Sequence, residues 1–149
     1  MKVVLQRVKE GGVYIESKKY TTEIEKGFVI LLGIKVGDKE EDAFYLADKC
    51  SNLRIFEDEN EKMNLSIKDV KGEALVISQF TLYGDASKGN RPSFIEAERP
   101  EKAESLYKIF VKRLKDNIGS SKVTTGVFGA MMDIKIINDG PVTIIIDSK

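Results

Sequence analysis

The chain has 149 residues, 42% hydrophobic and 32% charged, with 24 lysines and arginines against 24 aspartates and glutamates; this describes one globular domain, residues 1–149, without the basic excess of a general nucleic-acid binder. It contains no histidine and one cysteine, Cys50, which excludes Ser-His-Asp and Cys-His catalysis, an imidazole base, Cys/His zinc sites and an internal disulfide. No apolar run approaches a membrane span, and the opening stretch Met1 to Arg7 is broken too early for a signal peptide, so a cytoplasmic protein is expected.

Lys2 to Val8 reads as a first strand with Val3, Leu5 and Arg7 on one face. If that face is buried, the Arg7 guanidinium needs carbonyl or carboxylate partners; on an edge it would sit in solvent. Gly11-Gly12 is expected to turn the chain into Val13 to Glu16, and Ser17-Lys18-Lys19 to turn it again into Tyr20 to Ile24, as a meander. Phe28 to Ile34 is nearly unbroken apolar, the pattern of a central strand covered on both faces. Lys39 to Ser51 carries Ala43, Leu46, Ala47 and Cys50 at helical spacing with acids at its start, so Cys50 reads as core. A short strand at Leu53 to Phe56 and a solvated loop at Glu57 to Lys62 are expected next. The loop's carboxylates lack the glycine and closing glutamate of a calcium site.

Ala74 to Tyr83 begins as a buried strand and ends in polar residues among aromatics, where α/β proteins often place sites. In the glycine-rich loop Gly84 to Phe94 that follows, Lys88 and Arg91 could hold phosphate. Pro100 opens the clearest helix, with the stripe Ala103, Leu106, Tyr107, Phe110, Val111, Leu114 and Ile118. Val123 to Met132 has glycines spaced for close backbone approach. Two β-branched runs, Ile134 to Ile137 and Val142 to Ile146, then flank Asn138-Asp139-Gly140-Pro141. That junction reads either as a plain hairpin turn or as a tight corner presenting two bare carbonyls. The fold class is therefore α/β: a mixed, mostly antiparallel sheet system packed with two main helices.

Six segments, in order, now carry a resemblance: Gln6-Arg7-Val8; Asn52 to Asp58 with Lys62-Met63-Asn64; Ser78-Gln79-Phe80-Thr81-Leu82-Tyr83; Lys88 to Phe94; Gly126 to Ala130 with Met132; and Asn138 to Thr143. Along essentially its whole length the chain resembles the D-aminoacyl-tRNA deacylase (D-tyrosyl-tRNA deacylase) family, departing from it at Met131, where the family usually has a polar residue. The resemblance implies a homodimer that cleaves the ester between a D-amino acid, or glycine, and the terminal ribose of tRNA, with no cofactor, metal, membrane or DNA involved. It also implies a cis Gly140–Pro141 bond inserted into the partner's active site, where two carbonyls accept from the substrate ammonium and backbone fills the space of an L side chain.

By the same resemblance, backbone N–H groups around Gln79, Phe80 and Thr81 stabilise the oxyanion, and Thr81 is either a nucleophile or a positioning hydroxyl. No base evident in the sequence would activate it, so the ribose 2′-OH is expected to orient or activate water. Asn138 and Ser78 join the substrate-binding set. Phe128 and Met132 become walls of the pocket, although by pattern alone both read as core. Arg7 braces the Gly-Pro loop. The competing class is a non-catalytic dimer that binds a nucleotide or an RNA end through Lys88 to Arg91, with the Gly-Pro turn purely structural.

Overall fold

Fourteen consecutive residues form a single strand at the centre of the computed structural model, which describes residues 1–149. The elements run β1 (Lys2–Ile15), β2 (Tyr20–Ile24), β3 (Gly27–Gly33), α1 (Glu40–Asn52), β4 (Phe56–Glu57), β5 (Met63–Leu65), β6 (Glu73–Ser78), α2 (Pro100–Ile118), β7 (Val123–Thr125) and β8 (Asp133–Asp147), with a 3-10 turn at Phe80–Tyr83. Along one edge, β1 pairs antiparallel first with β3 and then with β2; β8 takes the other edge over nearly its whole length. Beyond β3 the pairing becomes parallel, through β6 to β7. The sheet curls until its ends meet in a barrel-like closure, where Tyr20 Oη donates to Thr125 O at 2.7 Å and the Thr22 and Thr124 hydroxyls lie 2.6 Å apart.

Gly11-Gly12 does not turn the chain, against expectation. A Cβ at Gly11 would stand 2.9 Å from Val29 Cγ2 and 3.2 Å from Ile24 Cγ1, so the pair lets neighbouring strands approach rather than reversing direction. Val3 and Leu5 belong to the cluster beneath the helices, whereas Val13 and Ile15, of the same parity, belong to the cluster on the opposite face. That reversal crosses the irregular stretch between Gln6 and Glu10, as expected where bulges re-aim side chains.

The second correction concerns β8. The two apolar runs are halves of one strand, both paired to β1, so the hairpin reading fails. Val8 faces Asn138 and Gln6 faces Thr143. Two steps along β1 thus span five along β8, and the extra residues, Asp139 to Pro141, loop outward as a corner.

Both helices fall where periodicity places them. The α2 stripe from Ala103 to Leu114 is buried against α1 and the sheet, with Phe28, Phe56 and Phe110 at the centre of that cluster. Asp48 accepts a two-pronged pair of bonds from Arg113 at 2.7 and 2.8 Å and fastens α1 to α2. The short strand expected at Leu53 to Phe56 lies later, at Phe56–Glu57, because Leu53 still caps α1 through its N–H to Lys49 O. No helix is long and apolar enough to cross a membrane.

Candidate active site

Strand β6 carries its apolar run to Ser78 and stops beside the end of β3. The last ladder bond runs from Gln79 N–H to Leu32 O at 2.9 Å. The chain then tightens into the 3-10 turn, closed by Leu82 N–H to Gln79 O and Gly84 N–H to Thr81 O. Gly33 permits this turn to fold back onto β3, since a Cβ there would stand 3.0 Å from Leu82 Cβ.

One consequence corrects the expected donor set. The Gln79 N–H is committed to Leu32, while those of Phe80 and Thr81, which open the turn, are left without a backbone acceptor. Turn starts expose such orphan donors. Both residues are solvent-exposed, Phe80 at 57%. The Gln79 side-chain amide donates to the Thr81 hydroxyl. An amide is no base, and no carboxylate or amine is bonded to Thr81, so this arrangement orients the hydroxyl without activating it.

The segment after β7 runs beside β6. Gly126 N–H donates to Val76 O at 3.2 Å, two residues before Ser78. Phe128 lies tilted over the buried Tyr107 ring, with centroids 5.7 Å apart. Met132 packs so closely on Gly126 that a Cβ there would stand 2.5 Å from its Sδ. Phe128 and Met132 are each half-buried and packed on the core, as their pattern in the sequence led one to expect. Met131, the departure from the family pattern, is 92% exposed. Phe80 meets Phe94 edge-on at 5.3 Å, anchoring the base of the loop that carries Lys88 and Arg91. Both cations are exposed and form no ion pair within the chain.

The corner lies elsewhere. Gly140 and Pro141 are exposed, their peptide bond is cis, and Gly140 adopts φ 130°, a region that favours glycine. Arg7, only 5% exposed, holds the corner from beneath. Its Nε donates to Asp139 O at 3.0 Å and its terminal nitrogen to Ile55 O at 2.7 Å, with the Asp139 and Glu57 carboxylates at 3.5 and 3.8 Å. Ser78 aligns with Leu32, and Leu32 with Val3, whereas the corner sits at the level of Arg7. Four residues of strand separate these levels, roughly 13 Å along the strands before any lateral spacing.

One chain thus keeps Ser78, Gln79, Phe80 and Thr81 together at the turn, sets Phe128 and Met132 on the segment after β7 against Tyr107 and Gly126, and holds Asn138, Gly140, Pro141 and Arg7 at another level of the sheet. Sequence reasoning missed the Ile55 carbonyl, which has no residue-type signal. A cleft of about 530 Å³ is lined by Leu82 and Tyr83 with Lys2, Lys35, Asp38 and Glu96, and by none of the site residues expected from the sequence. Its charges neutralise one another, as in the 3.0 Å pair of Lys35 with Glu96.

Residues 4–147 match the family described as D-Tyr-tRNA(Tyr) deacylase. Proteins named D-aminoacyl-tRNA deacylase from Flavobacterium psychrophilum and Halalkalibacterium halodurans are each 56% identical over 149 residues, covering all of this chain and 98% and 100% of theirs. A solved structure described as c-Myc DNA unwinding element binding protein superposes with a TM-score of 0.93 at 38% identity, covering 100% of this chain and 99% of its own. Another, described as a probable eukaryotic D-amino acid tRNA deacylase, gives 0.83 at 16% identity over 98% of each chain and speaks for the fold alone.

Proposed function

The chain belongs to the D-Tyr-tRNA(Tyr) deacylase family, and on that premise we propose that it hydrolyses the ester of D-aminoacyl-tRNA, and of glycine mischarged on tRNA, in the cytoplasm as a homodimer that rejects L-aminoacyl-tRNA by main-chain exclusion. The observation that carries the reading is the pair of uncommitted N–H groups at Phe80 and Thr81, beside a hydroxyl that no base touches. Such a site stabilises charge on a reacting carbonyl but does not generate a protein nucleophile.

Water adds to the ester carbonyl carbon, and the oxyanion accepts from Phe80 and Thr81. Collapse breaks the bond to the ribose oxygen, which leaves with a proton, giving free amino acid and tRNA. The neighbouring ribose 2′-OH orients the water, so the RNA assists its own hydrolysis; full activity on a 2′-deoxy substrate would contradict this. Phe128 and Met132 wall the pocket, with Ser78 beside them. Lys88 and Arg91, without ion-pair partners, suit the phosphates of the acceptor end.

Chirality is read by Gly140 and Pro141 of the partner subunit. The separation between corner and turn within one chain supports this, since a second copy offers a corner that its own chain holds away from the turn. The corner's carbonyls accept from the substrate ammonium, and its backbone occupies the space of an L side chain. Glycine and D residues pass the same filter. The solved neighbour named for a DNA element does not alter this reading, because a balance of 24 cationic and 24 anionic residues gives DNA binding no support.

Phe80→Pro tests the donor pair directly, because proline removes the N–H at the first position of a helical turn, where proline is least disruptive. With Phe80→Leu as the control for the lost phenyl, a fall in kcat of about 10²- to 10³-fold is expected for Pro alone. Equal effects from the two variants would overturn the donor role. Mixing Phe80→Pro with Gly140→Val subunits should restore about a quarter of wild-type activity, since half the dimers are mixed and each has one intact site of two. No recovery would place corner and turn in the same subunit's site.

A further inference from the structure

Tyr107 stands apart on α2, the one member of its buried stripe with a polar tip and a second contact toward the turn. Its Oη donates to Val76 O at 2.8 Å, and the same carbonyl accepts Gly126 N–H at 3.2 Å. Helix α2, strand β6 and the start of the wall segment therefore meet on one acceptor. The Tyr107 ring is 5% exposed and lies under Phe128, tilted at 57° with centroids 5.7 Å apart. Phe128 has one aromatic neighbour, and that neighbour is fixed by a hydrogen bond to the strand that delivers Ser78 and Gln79.

We propose that Tyr107 is a positioning residue for the hydrolysis: it sets the height of the Phe128 wall over the end of β6 and thereby the fit of the aminoacyl-adenosine end of the substrate. This rests on the reading of Phe128 as a pocket wall. A helix packed on a sheet by apolar contact alone can slide by fractions of an ångström, because dispersion is nearly non-directional. The hydroxyl bond removes that freedom at the level of Val76, and the ring passes the constraint to Phe128. Burial pushes the Tyr107 hydroxyl well above its usual range, so it stays protonated, and a donor, at every working pH. Gly126 completes the device, since any side chain there would drive Met132 away from β6.

The test is a double-mutant cycle on the full chain, with Tyr107→Phe, Phe128→Leu and their combination, read as kcat and KM for D-tyrosyl-tRNA together with thermal unfolding. Tyr107→Phe keeps the ring and removes only the hydroxyl. It is expected to raise KM by up to about fivefold, the ceiling reached if the whole worth of one neutral hydrogen bond is felt at the pocket, with kcat within about twofold because no reacting atom is touched. The double variant is expected to be no worse than Phe128→Leu alone, since Tyr107 acts through that ring. Unchanged KM in Tyr107→Phe, or effects that multiply in the double variant, would overturn the proposal and leave Tyr107 as core. If Phe128→Leu itself leaves KM unchanged while the wild type hydrolyses the D ester, the wall reading falls and the proposal with it. If the wild type spares the D ester, the proposed function is what has failed.

Discussion

Arg7 offers the sharpest perturbation, because its guanidinium does two jobs that a lysine cannot share. Nε and a terminal nitrogen reach separate carbonyls, Asp139 O at 3.0 Å and Ile55 O at 2.7 Å, from a side chain only 5% exposed. In Arg7→Lys a single ammonium keeps the charge but holds one carbonyl at best. A hydrogen bond from a charged group is worth about 1.5–3 kcal/mol, so a loss of about 2 kcal/mol is expected, which lowers Tm by roughly 4–8 °C in a chain of this length. The released carbonyl of Asp139 is one residue from Gly140, so the corner loosens as well. Thermal unfolding followed by parallel time courses on D- and L-aminoacyl-tRNA measures both consequences; L-ester hydrolysis should rise relative to D. An unchanged Tm and unchanged discrimination would refute the reasoning. A lower Tm with both esters slowed alike would reduce Arg7 to a support of the fold.

Thr81→Ala should retain activity within about tenfold, the loss of an orienting hydrogen bond; a fall beyond about a thousandfold would make Thr81 the nucleophile. Burial pushes the Cys50 thiol up to about 12, so maleimide should leave native activity intact and label the protein only on unfolding, and rapid inactivation would contradict its place in the core. The bond from Arg113, ahead of that from Asn117, holds the Asp48 carboxyl below its ordinary value. A group depressed in the folded state stabilises fully above its unfolded value, about 3.9. In urea titrations from pH 7 to 3, the stability difference between wild type and Asp48→Asn should therefore shrink as pH falls below about 4, whereas a constant difference would remove the linkage.

Helix α2 was legible because one periodic stripe and an opening proline specify the same element, and β3 because an unbroken apolar run can only be covered on both faces. The sheet's long strands were harder to read. Gly11-Gly12 carries a turn signal, yet its role is set by Val29 and Ile24 on strands that approach it. Asn138 to Pro141 likewise signals a hairpin, and only the shared partner β1 reveals an outward corner. At the site, Ser78 to Thr81 stood out by chemistry, but which N–H groups are free depends on the register of β6 against β3, which spends Gln79 on Leu32. The support of Arg7 by Ile55 is invisible in sequence because a carbonyl belongs to every residue type.

The most direct measurement is hydrolysis of matched D-tyrosyl-tRNA and L-tyrosyl-tRNA by the purified protein without added metal. Rapid loss of the D ester with the L ester spared is the predicted result. Equal, slow loss of both would contradict the account, leaving the fold in place and a non-catalytic binder of RNA ends as its function.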